Sequence, residues 1–380
     1  MKLCVFPNDP IKSYYKKGEI KTRYFNPKNL FEEVHIISPT DNEIDGNKVL
    51  QLVGNSKIKF HTIGELNLIN YKSKLKHVNE IIKNIKPDVL RSYNPLLQGW
   101  LAAKTAKKFK IPLIVSIHNN YDKDNRNLFL KSKQYFKFAK FWYTSKSVEP
   151  YTIQNADRII CAYRFLIPYV KHYGGKNIDV IYNRVDLSRF SSKGDLKYNY
   201  KVPTIIYVAR LSEKKNQQCL INAIAELDVK LLLVGNGPDY NKLSQLVEKL
   251  NITDKVKFIK SIPNEELASY YRSADLFAAP IKQGGVSIPM LEAMACGIPI
   301  LATNRDDGDE KEDMDEVMYF SKNEPELFKK SIVELTSDKK LLSEMRLKGL
   351  EKIQHFHGDV MEQKESDIYK EVIKNYRFTQ

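Results

Sequence analysis

Short runs of consecutive apolar residues alternate along the whole chain with longer segments in which apolar residues recur at helical spacing. Continuous apolar runs are typical of strands that are buried on both faces of a parallel sheet. In the first half these runs predict strands at Leu3–Phe6, Val34–Ser38, Asp88–Ser92, Leu113–Ile117, Arg158–Ala162 and Asp179–Tyr182. In the second half they predict strands at Thr204–Ala209, Lys230–Gly235, Val256–Lys260, Leu276–Pro280, Ile298–Ala302 and Val317–Phe320.

The segments between the strands have helical periodicity. Helices are predicted at Tyr71–Ile85, Pro95–Phe109, Asn216–Glu226, Tyr240–Leu250, Glu265–Arg272 and Met290–Ala295, and along residues 340–376 with a break near His357–Gly358. Strands that alternate with helices indicate parallel sheets with helices on both faces. The predicted fold class is therefore α/β, with two Rossmann-like domains.

The length of 380 residues is too great for one ordinary core, which agrees with two domains. The polar stretch at 188–201, just before Pro203, predicts a hinge. We expect an N-terminal domain at 1–198, a C-terminal domain at 199–361, and a final helix at about 362–380 that packs back on the first domain. Open parallel sheets bind ligands at the carboxyl ends of their strands. Two sheets that face each other across a cleft would therefore place functional residues just after the strands.

Composition excludes several classes of protein. Because 42% of the residues are hydrophobic, the chain has enough apolar surface to fold. No apolar run approaches the roughly 20 residues of a membrane span, and the first residues do not have the pattern of a signal peptide. The four cysteines are far apart in sequence, which disfavours a disulfide framework or a zinc site. A cytoplasmic location is expected.

The net charge of +15 is unevenly distributed. Residues 1–200 carry 35 basic and 17 acidic side chains, whereas residues 201–380 carry 26 basic and 29 acidic ones. The basic excess in the first half indicates an anionic partner, which would be a nucleic acid, an anionic membrane or a phosphorylated substrate. The alternative interpretation is that the excess charge only keeps the protein soluble.

Three segments that follow predicted strands of the second half contain candidate ligand-binding residues. Arg210 and Lys215 lie before a predicted helix, where two cations and free backbone amides favour a diphosphate, although a solvated basic loop has the same pattern. Gly235 follows the next strand, in a two-glycine turn that is by itself weak evidence of a nucleotide site. After Leu276–Pro280, a glycine-rich loop leads into a small, apolar helix that contains Glu292. Either ribose hydroxyls or the helix N-terminus would be a partner for this carboxylate.

At this point the sequence resembles glycosyltransferase family 4, whose members have the two-domain GT-B fold. The resemblance rests on the order and spacing of several stretches: ADRIICAY, VIYNRVDLSRF, YVARLSEKKN, LLLVGNGP, VKFIKSIPNEELASYYRSADLFAAP and IPMLEAMACGIPILAT. It implies transfer of a hexose-type sugar from a nucleotide diphosphate sugar to an acceptor hydroxyl, with retention of anomeric configuration. Rival interpretations are a sugar-nucleotide epimerase or phosphorylase on the same architecture, and a relative that binds sugar nucleotides without turnover.

The resemblance also implies roles for individual residues. Arg210 and Lys215 match the residues that bind the diphosphate and stabilise its growing charge, and Glu292 matches the glutamate that binds the ribose. His118 matches a histidine that faces the transferred sugar. Residues that match loops lining the donor site are Gly18, Gly235, Ser261, Ile262, Pro263, Gly284, Gly285, Val286, Ser287 and Ile288.

Two departures from the family pattern affect the chemistry. Gly284 stands where the family has a further glutamate that contacts the sugar, so the identity of the sugar is left open. An acidic run includes Asp307 and Asp309, whose spacing has the form of a metal site in another glycosyltransferase fold, but a solvated acidic loop is the better interpretation. Because Arg210 and Lys215 can neutralise the diphosphate, we expect no metal and no other cofactor.

The segment 129–146 (FLKSKQYFKFAKFWYTSK) interleaves lysines with aromatic residues. On a helix, Lys133, Lys137, Lys140 and Thr144 would form one stripe. Such a helix suits an anionic membrane interface and a lipid-linked acceptor, although an ordinary domain helix with lysine tips in water has the same composition. Nucleic acid is not the expected partner. The sequence therefore favours a peripheral enzyme of cell-surface polysaccharide, glycolipid or glycan assembly.

Overall fold

A computed structural model of the chain describes residues 1–120, 129–130, 133–282, 286–304 and 310–378. The chain divides into two compact units. The first unit contains residues 1–182 and 361–380, and the second contains residues 183–360.

The first unit contains a seven-stranded parallel sheet with the strand order β3-β2-β1-β4-β5-β6-β7. Its strands are β1 (Lys2–Phe6), β2 (Glu33–Ser38), β3 (Lys57–Thr62), β4 (Val89–Ser92), β5 (Leu113–Ile117), β6 (Arg158–Cys161) and β7 (Ile178–Val180). Its helices are α1 (Ile11–Lys16), α2 (Tyr71–Ile85), α3 (Leu97–Phe109), α4 (Tyr135–Tyr143), α5 (Glu149–Gln154) and α6 (Ile167–His172). The central strands β4 and β5 are buried along their whole length, as expected of strands in a parallel sheet that is covered on both faces, although β4 includes the charged Arg91.

The second unit contains a six-stranded parallel sheet with the order β10-β9-β8-β11-β12-β13. Its strands are β8 (Thr204–Val208), β9 (Lys230–Val234), β10 (Val256–Ile259), β11 (Leu276–Ala279), β12 (Ile300–Thr303) and β13 (Tyr319–Ser321). Its helices are α7 (Gln217–Ile224), α8 (Tyr240–Lys249), α9 (Leu267–Arg272), α10 (Ile288–Ala295), α11 (Pro325–Ser337) and α12 (Lys339–Ile353), and α13 (Gly358–Phe378) follows.

These two parallel sheets confirm the predicted α/β fold class with two Rossmann-like domains. One strand, β3, is absent from the sequence prediction. It lies at the edge of the first sheet, and its sequence KIKFHT places the polar Lys59 between Ile58 and Phe60, which are only partly buried. The search for continuous apolar runs therefore misses it.

The division between the units lies at 182/183 rather than at the expected 198/199. Residues of the predicted hinge pack on the second unit. The backbone amide of Lys197 donates to the carbonyl of Ser269, and that of Tyr198 donates to Ser273 Oγ at 2.8 Å. These bonds make the end of the polar stretch part of the second unit.

The last helix, α13, packs on the first unit from Met361 onward. Its apolar residues Ile368, Tyr369, Val372 and Ile373 belong to the same buried cluster as residues of β1, β2 and β4. Ion pairs add to this contact, since Glu362 accepts from Arg23 at 2.9 Å and Glu365 accepts from Arg91 at 3.3 Å.

The expected single helix over 129–146 is interrupted. Lys133 has a left-handed backbone conformation with φ 57°, and the amide of Gln134 donates to the carbonyl of Phe129. Helix α4 begins only at Tyr135, so Lys133 is not part of the predicted stripe on this helix. Residues 131 and 132 lie outside the described part of the chain.

Candidate functional site

The strand order of the second sheet indicates where a ligand would bind. The chain proceeds from β8 to β9 and β10 on one side, and then to β11, β12 and β13 on the other. The strands β8 and β11 are neighbours, and the loops that follow them run in opposite directions from the carboxyl edge of the sheet. The crevice between two such loops is the usual location of a ligand site in an open parallel sheet. Arg210 and Lys215 follow β8, and residues 286–288 follow β11.

The loop after β8 is fixed by the glycines after β9. A Cβ at Gly235 would lie 2.1 Å from the carbonyl oxygen of Ala209, and one at Gly237 would lie 2.1 Å from that of Leu211. Gly235 also has φ +140°, which a residue with a side chain rarely adopts. The two glycines thus permit the close approach of two backbones, and this approach places Arg210 in an exposed position at the sheet edge.

Lys215 ends a short 3₁₀ turn (Glu213–Lys215) and is partly buried. Its carbonyl accepts a hydrogen bond from the buried hydroxyl of Tyr207 at 3.0 Å, which anchors the turn to the sheet. Burial, and then repulsion from Lys214, lower the pKa of Lys215 below its ordinary value. Within the described residues the ammonium has no ion pair, so these residues leave room for an anion beside it.

The loops after β8 and β11 are joined by two interactions. The backbone amide of Lys282 donates to the carbonyl of Lys214 at 3.0 Å, and Lys282 Nζ lies 3.5 Å from a carboxylate oxygen of Glu213. These bonds hold the Lys215 turn beside the start of the glycine-rich loop. Gly284 and Gly285 lie outside the described residues.

The end of the glycine-rich loop forms the N-terminus of α10. Ser287 is extended and precedes the helix, and Pro289 in the first turn has no amide hydrogen. No hydrogen bond is found for the amides of Val286, Ser287 and Ile288 within the described ranges. Free amides at a helix N-terminus attract anions. The role of this loop in binding the donor stays a prediction.

Glu292 lies on α10 and is partly buried. Its Oε2 accepts a hydrogen bond from the Tyr271 hydroxyl at 2.9 Å. Tyr271, on α9, is fully buried and packs against Phe277 and Phe190. Burial, and then the Glu292 carboxylate, raise the pKa of Tyr271 well above its ordinary value, so the hydroxyl stays protonated and remains a donor. Sequence analysis missed this tyrosine.

The predicted base-binding residues Ser261, Ile262 and Pro263 follow β10, at the same edge of the sheet. Ser261 and Pro263 are exposed. The sheet places β9 between β10 and β8. The loop after β10 is therefore two strands away from the Arg210 loop, on the opposite side of β8 from β11.

In the first unit, His118 directly follows β5. Its ring stacks on that of Tyr93, with centroids 6.0 Å apart and planes 8° from parallel. Burial, and then the charge of Arg91, lower the pKa of His118 to about 4. The imidazole is therefore neutral near pH 7 and suits a hydrogen-bonding role.

Gly18 lies in an exposed position just after α1, with φ +68°, and a Cβ at this position would have no atom within 4 Å. Its amide donates to the carbonyl of Tyr15 at 3.1 Å. A glycine in the left-handed conformation commonly ends a helix, and this explains Gly18 without a ligand. Its predicted place near the donor stays a prediction.

Two negative observations concern metals and membranes. Within the described ranges, no three His, Cys, Asp or Glu side chains form a set that would hold a metal ion. Asp307 and Asp309 lie outside those ranges. Among the helices that the structure describes, none has the length and apolar character needed to cross a bilayer.

Two family models match consecutive parts of the chain. The model of glycosyltransferase family 4 matches residues 32–189, and that of glycosyl transferases group 1 matches residues 188–352. The chain belongs to the group 1 glycosyltransferases. This confirms the resemblance seen in the sequence, and the transferase class follows from it.

Curated relatives of this glycosyltransferase include an uncharacterized glycosyltransferase of Methanocaldococcus jannaschii. It is 27% identical over 77% of this chain and 78% of its own length. The alpha-monoglucosyldiacylglycerol synthase of Streptococcus pneumoniae is 25% identical over 71% of this chain. The matched region spans 63% of that synthase, which is less than two thirds of its length.

A solved structure of the Anabaena HepE protein, in complex with UDP and glucose, has a TM-score of 0.70 with this glycosyltransferase. It covers 97% of this chain and 99% of its own at 14% identity. At this identity the likeness shows the fold alone, and it confirms GT-B as the fold class.

Proposed function

We propose that this glycosyltransferase moves a hexose-type sugar from a nucleotide diphosphate sugar to an acceptor hydroxyl, with retention of configuration and without a metal. The observation that carries the proposal is the environment of Lys215. A partly buried ammonium lies in a turn tied to the loop whose last amides have no hydrogen-bond partner among the described residues. Burying a charge is costly unless a partner compensates it. A diphosphate supplies that partner.

The chemistry follows from the charge that develops during transfer. When the bond between the anomeric carbon and the diphosphate oxygen breaks, negative charge grows on the diphosphate. Arg210, Lys215 and the amides at 286–288 would stabilise this charge more in the transition state than in the ground state. These groups neutralise the leaving group without a metal ion, so we expect full activity in the presence of a chelator.

The neutral imidazole of His118 suits orientation of the sugar through a hydrogen bond. Because the pKa of His118 is about 4, the group is a poor general base near pH 7. We therefore propose front-face attack assisted by the leaving phosphate rather than a side-chain nucleophile. Retention is tested by the anomeric configuration of the product: an α-linked product from an α-linked donor supports it, and a β-linked product contradicts it.

The decisive experiment is the double variant Arg210→Ala/Lys215→Ala. We expect loss of both nucleotide-sugar binding and transfer, measured by calorimetry with UDP and GDP sugars and by product analysis. Lys249→Ala is the matched control, because this exposed lysine of α8 lies at the helix end, away from the strand-end loops. Undiminished binding and turnover in the double variant would overturn the proposal. Product formation that needs no acceptor would favour an epimerase instead.

We further propose that the acceptor is lipid-linked and that α4 docks on an anionic bilayer. None of the nine residues of α4 is buried, and the side chains of Phe136, Tyr135 and Trp142 are 86%, 63% and 54% exposed. No acidic residue occurs between Asp124 and Glu149, and within 129–146 every charged residue is a lysine. Exposed aromatic side chains beside cations suit the headgroup region of an anionic membrane. The name of the streptococcal relative, which describes a diacylglycerol product, supports a lipid acceptor.

Flotation with vesicles tests this docking. We expect the protein to float with phosphatidylglycerol vesicles and the variant Phe136→Ser/Trp142→Ser to remain unbound. The control is Leu347→Ser on α12, where an apolar side chain is 66% exposed. Equal binding of the double variant and the control would contradict the proposal, as would equal recovery with neutral phosphatidylcholine vesicles. An enzyme that docks in this way would act at the inner face of the cell membrane, in the assembly of a cell-surface glycan or glycolipid.

A further inference from the structure

A continuous set of contacts inside the first unit leads from the last helix to His118. Glu365 of α13 accepts a hydrogen bond from Arg91 Nη2 at 3.3 Å, and both side chains are buried. Arg91 lies on β4, and its guanidinium carbon is 5.3 Å from the centre of the Tyr93 ring. The Tyr93 ring in turn stacks on the imidazole of His118.

Tyr93 is fixed at several points. Its hydroxyl donates to the carbonyl of Tyr24 at 3.2 Å, and its ring meets that of Phe25 edge-on at 5.2 Å. The side chain is only 5% exposed. A ring held by a hydrogen bond, an aromatic contact and a cation cannot turn without breaking them, so Tyr93 is a rigid surface for its stacking partner.

His118, by contrast, is not held by a hydrogen bond at Nε2. That atom is inaccessible to solvent and has no hydrogen-bond partner within the described part of the chain. Nε2 thus supplies no bond that fixes the ring, whereas stacking on Tyr93 is a contact that does. We propose that Tyr93 is a positioning residue for His118, and that Arg91 and Glu365 of the last helix hold Tyr93 in place. This inference rests on the proposed role of His118 in orienting the sugar.

Kinetics in a double-mutant cycle test the inference. A misplacement of about 1 Å at a reacting centre costs up to about 100-fold in rate. We therefore expect Tyr93→Leu to lower kcat by about 10- to 100-fold, with little change in the affinity for UDP or GDP, because Arg210 and Lys215 belong to the other unit. In a His118→Ala background the same substitution should change kcat by less than about twofold. The free-energy effects of two substitutions add when the residues act independently, and they do not add when one residue acts through the other. Equal losses in both backgrounds would overturn the inference.

Conservative variants separate positioning from general loosening. Tyr93→Phe retains the ring and should retain most of the activity. Tyr173→Leu removes a buried tyrosine of the same unit whose ring packs on Tyr169 and His172, and it should lower stability without the loss in kcat. Tyr93→Met, which is longer than leucine, replaces Tyr93→Leu if the latter fails to fold.

Nuclear magnetic resonance of the imidazole gives a readout that does not need turnover. We expect the His118 Hε1 resonance, assigned with His118→Asn, to be shifted upfield by the Tyr93 ring. This shift should persist in Tyr93→Phe and disappear in Tyr93→Leu. An unchanged resonance in Tyr93→Leu would overturn the inference. Absence of transfer by the unmodified protein would overturn the proposed function alone, because the resonance still reports the stacking.

Discussion

The Tyr271 hydroxyl donates a hydrogen bond of 2.9 Å to Oε2 of Glu292. The tyrosine belongs to α9 and the glutamate to α10, so the bond fixes a carboxylate on one helix through a buried ring on another. If Glu292 binds the ribose, Tyr271 sets the direction in which the carboxylate meets the ribose hydroxyls.

We predict that Tyr271→Phe weakens nucleotide binding about tenfold. A hydrogen bond to a charged group contributes roughly 1.5–3 kcal/mol, and about 1.4 kcal/mol corresponds to a tenfold change in Kd. Calorimetry with UDP and GDP measures the effect. Tyr270→Phe is the matched control, because its ring packs against Tyr198 rather than beside Glu292. Binding of Tyr271→Phe equal to that of the control would contradict the prediction.

Nucleotide binding should weaken as the pH rises toward the pKa of Lys215. Burial lowers this pKa below that of an ordinary lysine, so the ammonium loses its proton, and with it the attraction for phosphate, at a lower pH than exposed lysines do. Binding of the diphosphate favours the charged form, so proton uptake is expected on binding at alkaline pH. Calorimetry in buffers of different ionisation enthalpy detects it. The substitution Lys215→Arg should flatten the pH dependence, and an unchanged slope would count against the prediction.

Stability should fall as the pH decreases from about 6.5 to 4. The pKa values of His118 and His61 are lowered to about 4, mainly by burial. The unfolded state therefore binds more protons in this range, and protonation favours unfolding. For His118 the expected loss is about 2 kcal/mol by pH 5. Denaturant unfolding of the protein and of His118→Asn at pH 7 and pH 5 measures it. The two proteins should differ in slope; parallel curves would show that His118 does not titrate in this way.

The substitution Gly237→Ala should destabilise the second unit by about 1–3 kcal/mol, the usual cost of overpacking. A Cβ at this position would lie 2.1 Å from the Leu211 carbonyl oxygen and would displace the loop that presents Arg210. Nucleotide affinity should fall as well. The control is Gly358→Ala, where the nearest atom is 3.8 Å away. Thermal unfolding and calorimetry compare the two variants, and equal behaviour would exclude the steric role of Gly237.

The sequence predicts those features that depend on local pattern. The buried strands and α2 follow from apolar runs and helical spacing, and α2 has the predicted bounds. The sequence analysis misses the edge strand β3 because this strand has no continuous apolar run and none of its residues is fully buried. The sequence does not predict the interruption at Lys133, because no glycine or proline occurs there. The interruption lies in the left-handed backbone conformation of this lysine.

The candidate site divides in the same way. Arg210, Lys215 and Glu292 are recognised from their places after strands and from family stretches. The tyrosines that support site residues are not recognised in this way. Tyr207 contacts Lys215, Tyr271 contacts Glu292, and Tyr93 contacts His118, each between elements that the sequence pattern does not pair. A buried tyrosine in an apolar segment looks like core from its sequence alone. Only the direction of its hydroxyl or ring plane distinguishes support of a functional residue from packing.

The first unit is built from both ends of the chain, with residues 1–182 completed by residues 361–380. During synthesis the sheet of this unit emerges first, but Arg91 has no buried carboxylate partner, and the apolar cluster around β1 lacks Tyr369, until the last helix appears. The second unit, by contrast, is continuous, from 183 to 360. The first unit thus begins to emerge from the ribosome before the second unit, but it has all of its residues only after the second unit has been synthesised.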